Sequence, residues 1–169
     1  MSIPACNLDD GMIVWQQRQH GPKEITVKNW TPPKSPYGLI QESLWPDEWK
    51  ILVACMLLNQ TTRKQLDKVI DEFFSRWPDP QSLLNSTPEE IGEVIKPLGF
   101  WRRRPKTLQR FSKEYLSGEW SDPSCLHGVG KYAHDAWRIL IAGEWKQVEP
   151  NDHALNKYHD WLKEKDEVN

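Results

Sequence analysis

Apolar positions along this chain recur mostly at intervals of three and four, in short runs separated by proline, glycine and capping residues. That period predicts helices, and no segment alternates convincingly enough to make a sheet. Residues 1–28 show no sustained period and are mostly polar, which predicts a flexible tail or weakly docked arm before a folded domain over 29–169. Trp30-Thr31-Pro32-Pro33-Lys34-Ser35-Pro36 holds three prolines and reads as an extended segment laid across the surface. Helices follow from Tyr37 onward. Pro46 to Leu58 is apolar on nearly all sides in its second half and should be central. Thr62 to Trp77 carries Leu66, Val69, Ile70, Phe73 and Phe74 on one stripe and stops before Pro78. Thr87-Pro88-Glu89-Glu90 opens a helix that ends near Pro97-Leu98-Gly99. Pro105 to Ser117 is closed by Gly118, and further helices are expected over Tyr132 to Ala142 and about Asp152 to Lys165. The fold class is all-α, built from short helices as in a globular domain rather than a coiled coil.

The chain has 169 residues, the size of one ordinary domain, and its longest apolar run, Ile51 to Leu58, is far short of a bilayer span of about 20 residues. No stretch of signal-peptide type stands at the start. A net charge of −2 does not point to nucleic acid, so any such partner must be met by local charge. One region supplies it: Lys96, Arg102, Arg103, Arg104, Lys106, Arg110 and Lys113 crowd together. Cys6, Cys55 and Cys125 are too few and too scattered for a disulfide framework or a four-ligand metal site.

Leu126-His127-Gly128-Val129-Gly130 carries the chemistry furthest. A Leu-x-Gly-Val-Gly turn between two helices is a helix-hairpin-helix signature. Leu126 and Val129 anchor the turn, while Gly128 and Gly130 present N–H groups to a phosphate with no side chain in the way. Lys131 adds charge there. The bland alternative is an ordinary glycine-containing connection. Asp152 lies twenty-odd residues downstream at the start of a polar helix. Alone it reads as a plain N-cap. Beside the hairpin it reads as an anion able to stabilise the positive sugar that develops when a glycosidic bond breaks, or to orient a water. His153 and His159 beside Asp152, and His127 and His134 around the hairpin, fit no metal-ligand spacing, and solvated or capping roles are expected for the first pair.

With these residues in view, the chain resembles the helix-hairpin-helix DNA glycosylases of the endonuclease III and adenine-glycosylase superfamily. Leu57-Leu58-Asn59-Gln60-Thr61-Thr62 is similar to their Leu-x-x-Gln-Thr segment. Over residues 29 to 163 the likeness is closer to one branch, the mismatch-specific thymine/uracil glycosylase domain found at the C-terminus of methyl-CpG-binding-domain proteins. Leu39-Ile40-Gln41-Glu42, Lys96-Pro97-Leu98-Gly99, Gly128-Val129-Gly130-Lys131-Tyr132 and Asp152-His153-Ala154-Leu155-Asn156-Lys157-Tyr158 carry that likeness.

The resemblance implies two helical lobes with the active-site cleft between them. It implies that Asp152 is the catalytic aspartate, that Tyr132 packs beside a flipped base, and that Gln41 reads the polar edge of a pyrimidine with Ile40 beside it. His127, Gly128, Val129, Gly130 and Lys131 would then clamp a phosphate, with Arg102 in the basic stretch, while Gln60 and Phe100 enter the duplex as the base swings out. Two positions depart from the branch: an arginine is expected in the vertebrate enzymes where this chain has Gln60, and a leucine where it has Phe100. These departures bear on mismatch preference more than on activity. Lyase members carry a lysine two residues past the second hairpin glycine. Tyr132 stands there instead and cannot form a Schiff base, so a monofunctional enzyme is expected, leaving an abasic site. No cysteine follows Cys125, so the iron–sulfur cluster of many superfamily members is not expected, nor any other cofactor or metal. The expected partner is double-stranded DNA with a mismatched or damaged pyrimidine, engaged by a monomer in the nucleus. The alternative from another class is a non-catalytic hairpin module that only binds DNA.

Overall fold

The computed structural model describes residues 30–169, so the predicted tail and its boundary lie outside the described residues. Nine α-helices and three 3-10 turns are found among the described residues, and no strand. The helices are α1 (Ile40–Leu44), α2 (Glu48–Leu58), α3 (Arg63–Asp67), α4 (Ile70–Arg76), α5 (Pro80–Leu84), α6 (Pro88–Ile95), α7 (Arg104–Ser117), α8 (Lys131–Leu140) and α9 (His153–Val168).

Helix α2 is the axis of the molecule. Trp49, Ile51, Leu52, Val53, Ala54, Cys55 and Leu57 are all buried, on every side of the helix. Asp47, rather than Pro46, sets its start: the carboxylate accepts the Lys50 N–H at 3.0 Å, and Pro46 sits outside the helix after a cis peptide bond. Glu48 in the first turn is buried too. Its two oxygens accept the Trp137 indole N–H at 2.6 Å and the Tyr115 hydroxyl at 2.9 Å, so this acid joins α2 to α7 and α8.

Local signals act as their chemistry demands. Thr87 and Glu90 form a reciprocal capping box at α6. Gly118 ends α7 in the left-handed region at φ +67°. The expected helix over Thr62 to Trp77 divides instead. At Lys68 and Val69 the N–H groups reach carbonyls three residues back, and Val69 leaves helical geometry at φ −124° before α4 begins. Leu66, Val69, Ile70 and Phe73 remain buried across the break, so the apolar period survives the interruption of the helix. Helix α5, absent from the periodicity reading, is made by its ends: Asp79 accepts the Ser82 N–H at 2.7 Å and Pro80 starts the helix.

The proline-rich segment is extended and fastened to the far end of the chain. The Trp30 indole donates to the Ile139 carbonyl at 2.9 Å, and its ring sits where a Cβ on Gly143 would lie. The Tyr158 hydroxyl donates to the Pro33 carbonyl at 2.7 Å. The early segment 30–44 and the late helix α9 thus stand together against the middle helices.

Candidate active site

A cleft of about 650 Å³ opens where these early and late segments meet the middle of the chain. Tyr37, Ile40 and Gln41 line it from the early side, Asp152, His153 and Lys157 from the late side, and Gln60 and Tyr132 from the middle. Four residues singled out from sequence for a base pocket and its chemistry, Ile40, Gln41, Tyr132 and Asp152, therefore share one space.

Asp152 is the N-cap of α9. One carboxylate oxygen, Oδ2, accepts the Leu155 N–H at 2.9 Å. The other oxygen has no hydrogen-bond partner among the described residues. The cap fixes the side chain, and the positive end of a 16-residue helix favours negative charge there.

Gln41 is almost wholly buried, at 1% exposure. Its amide nitrogen donates to the Tyr132 hydroxyl oxygen at 2.6 Å and approaches the Cys55 sulfur at 3.4 Å. The amide oxygen has no partner among the described residues, an uncommon condition for so buried an acceptor and one that a ligand donor would relieve. Burial, reinforced by the nearby Cys55 and Asp152, pushes the Tyr132 phenol far up, so it stays protonated. Burial also pushes the Cys55 thiol up to about 12. The floor of the cleft is neutral, and Asp152 brings the negative charge to its rim.

A second groove of about 320 Å³ adjoins the cleft through Asn59, Gln60 and Tyr132 and runs past Phe100, Arg103 and Arg104 to Gly128 and Gly130. Gln60 and Phe100 are the two non-glycine residues with positive φ among the described residues, at +63° and +51°. Phe100 is 49% exposed, with the guanidinium groups of Arg103 and Arg104 each 5.4 Å from its ring. Trp101 takes the anchoring part, half-buried over Gly92, where its carbonyl oxygen leaves only 2.7 Å for a Cβ.

The hairpin is tied down from α7. Glu114 accepts the His127 N–H at 3.3 Å, and the Val129 N–H closes the turn onto the Leu126 carbonyl at 3.2 Å. Leu126 is buried and Val129 packs against the core. The N–H groups of Gly128 and Gly130 have no acceptor among the described residues. Gly128 needs to be glycine: φ is +83° and a Cβ would stand 2.6 Å from Met56 Cε. Gly130 has an ordinary φ of −97° and open space where a Cβ would go.

Several expected partners are placed differently. The Lys131 ammonium is engaged by the Asp135 carboxylate and by the Glu149 carbonyl at 2.8 Å, and the His127 N–H is taken by Glu114. Arg102 lies 4.8 Å over the Trp101 ring and lines neither the cleft nor the adjoining groove, whereas Arg103 and Arg104 line the groove. His159 is buried and its Nε2 meets the Trp145 carbonyl at 2.7 Å, so it is a packing histidine rather than a solvated one. Among the described residues, no group of three or more histidine, cysteine, aspartate or glutamate side chains forms a metal site. Nor is any described helix long and apolar enough to cross a membrane. Tyr37 and Lys157 line the cleft without having been singled out; exposure of an aromatic at Tyr37 (48%) is visible only in three dimensions.

Residues 53–166 match the family described as HhH-GPD superfamily base excision DNA repair protein. The methyl-CpG-binding domain protein 4-like protein of Arabidopsis thaliana is 48% identical over 134 residues, covering 79% of this chain and 30% of that protein. The thymine-DNA glycosylase of Aeropyrum pernix is 42% identical over 103 residues, covering 57% of this chain and 45% of its own length. The chain thus spans less than half the length of either relative. A solved structure, that of a thermostable thymine-DNA glycosylase, shares the fold with a TM-score of 0.52 at 23% identity, covering 69% of this chain and 54% of that one. The chain belongs to the HhH-GPD superfamily of base excision DNA repair proteins.

Proposed function

We propose that this chain is a monofunctional DNA glycosylase that removes thymine or uracil mispaired with guanine, the two bases being those that the names of its glycosylase relatives give for those proteins. The observation that carries the reading is the convergence of Ile40, Gln41, Tyr132 and Asp152 on one cleft, next to a groove that ends at the hairpin.

In this reading Gly128 and Gly130 give their open N–H groups to a phosphate of double-stranded DNA, and Gln60 and Phe100 enter the stack as the pyrimidine swings out. Flipping costs least at a mismatch. The open amide oxygen of Gln41 accepts the N3–H of thymine or uracil. Cytosine presents an acceptor at N3 and is refused. The protonated Tyr132 phenol holds the Gln41 amide in place. Asp152 stabilises the developing oxocarbenium ion and takes a proton from the water that adds to C1′. The departing base keeps the electron pair of the C1′–N bond, and an abasic site remains.

Lyase chemistry is not part of this reading. Tyr132 stands at the Schiff-base position, and the neighbouring Lys131 ammonium is committed to Asp135 and Glu149. The protein acts as a monomer, without a cofactor, in the nucleus.

The test uses duplexes bearing a single G·T or G·U pair in CpG, incubated with the wild type and with Asp152→Asn, half of each sample then treated with alkali. Alkali-dependent cleavage by the wild type, lost in the variant, is expected. Tight binding with no cleavage of either duplex would replace the reading with a non-catalytic DNA-binding module. Cleavage without alkali, with borohydride trapping of a covalent adduct, would point to an amine nucleophile, for which Lys157 in the cleft is the candidate.

A further inference from the structure

The two loops that hold Gln60 and Phe100 are far apart in sequence, yet one side chain joins them. Arg104, in the first turn of α7, donates from Nη2 to the carbonyl of Asn59, the residue before Gln60. Its Nη1 donates to the carbonyl of Leu98, two residues before Phe100, at 3.4 Å. The same guanidinium lies 5.4 Å from the Phe100 ring, and the Arg104 backbone N–H donates to the Phe100 carbonyl at 2.9 Å. Both loops hold a side chain in the left-handed region, a conformation that persists only where the surroundings enforce it. We propose that Arg104 is a positioning residue that yokes these two loops, so that Gln60 and Phe100 enter a DNA duplex as one unit.

The chemistry favours arginine. A planar guanidinium aims separate N–H groups at two carbonyls in fixed directions and still presents a face to an aromatic ring. A lysine ammonium on its flexible stem cannot hold both carbonyls in that geometry. This role differs from a phosphate contact, because the donors point into the protein's own backbone.

The inference rests on the proposed glycosylase reading for its consequence in DNA, but the yoke itself is testable without DNA. Hydrogen exchange is compared between the wild type, Arg104→Lys and Arg104→Met, the last keeping an apolar stem against Phe100. Faster exchange in both segments, 58–62 and 98–101, with the rest of the protein unchanged is expected. Unchanged exchange in either segment overturns the yoke. Global loss of protection in Arg104→Met moves the decision to Arg104→Lys, judged by the same two segments.

The consequence is then read by 2-aminopurine fluorescence beside a G·T pair. Misplacing a positioned group lowers the rate it serves by about 10- to 100-fold, so base flipping falls by about that factor in Arg104→Lys, which keeps the positive charge in the groove, as well as in Arg104→Met. In the wild type, Gln60→Ala and Phe100→Ala together cost little more than either alone. In the Arg104→Met background their fold-effects multiply. Multiplying effects already present in the wild type, or a loss confined to salt-dependent affinity, would overturn joint insertion. A wild type that neither flips nor excises would instead count against the glycosylase reading and leave the exchange result standing.

Discussion

Gln41 and Phe100 are assigned to the same proposed event and are built in opposite ways. Gln41 sits on a helix at 1% exposure with its amide nitrogen committed to Tyr132, whereas Phe100 stands 49% exposed on a loop at φ +51°. The difference follows from where each must act. A group that reads a base inside the protein gains from being fixed before the base arrives. A group that enters another molecule's stack cannot be buried in its own fold, and a left-handed backbone costs a non-glycine residue roughly 1–2 kcal/mol. The cleft is fixed by packing; the loops are held against their preference by neighbours such as Arg104.

Substitution at Asp152 breaks the cleft most sharply. Asparagine caps a helix as well as aspartate does, so in Asp152→Asn the thermal midpoint should hold while single-turnover excision falls by about 10²- to 10³-fold. Asp152→Ala should show the same catalytic loss and also lose about 1 kcal/mol of stability. Excision by Asp152→Asn at the wild-type rate would remove the carboxylate from the chemistry. Next comes Gln41→Leu, which strips the Tyr132 hydroxyl of its buried donor. We expect a loss of about 1–3 kcal/mol in denaturant unfolding, with uracil excision down by at least about 10-fold. Excision unchanged in that variant would deny Gln41 its reading role.

The hairpin glycines sharpen the contrast within one turn. Gly128→Ala meets Met56 and a positive φ together and should destabilise by about 1–3 kcal/mol. Gly130→Ala has open space and ordinary φ, so its cost should stay near ~1 kcal/mol or below, yet DNA affinity should fall because a methyl group now stands where a phosphate would approach. Equal thermal shifts in the two variants would refute this division. The smallest effect concerns Phe100→Gly. Relief of the backbone should leave stability unchanged or raise it by up to about 1 kcal/mol while base flipping weakens, the reverse of the pattern at Gln41.

Much of this was legible in the chain because it depended on local chemistry. The Thr87 capping box, the Gly118 stop, the Leu126–Gly130 turn and the cap at Asp152 each need only neighbours a few residues away. What stayed hidden depended on direction. Arg102, Arg103 and Arg104 are three like charges in a row, and only the start of α7 decides that Arg104 faces the two loops while Arg102 turns to Trp101. Lys131 looked available for a phosphate until Asp135, one helical turn on, came to occupy it. His159 read as polar surface because nothing nearby in sequence signals the Trp145 carbonyl that satisfies it. The break between α3 and α4 left the apolar period intact, so periodicity could not register it.

The fastening of Pro33 to Tyr158 and of Trp30 to Ile139 spans more than a hundred positions of the chain. During synthesis the middle helices are available to collapse long before α9 leaves the ribosome, but the wall that carries Asp152 cannot close on the wall that carries Gln41 until then. A nascent or prematurely terminated chain therefore presents the hairpin and its adjoining groove without a completed cleft, and on the proposed reading it is limited to holding DNA from which it has no means to release a base.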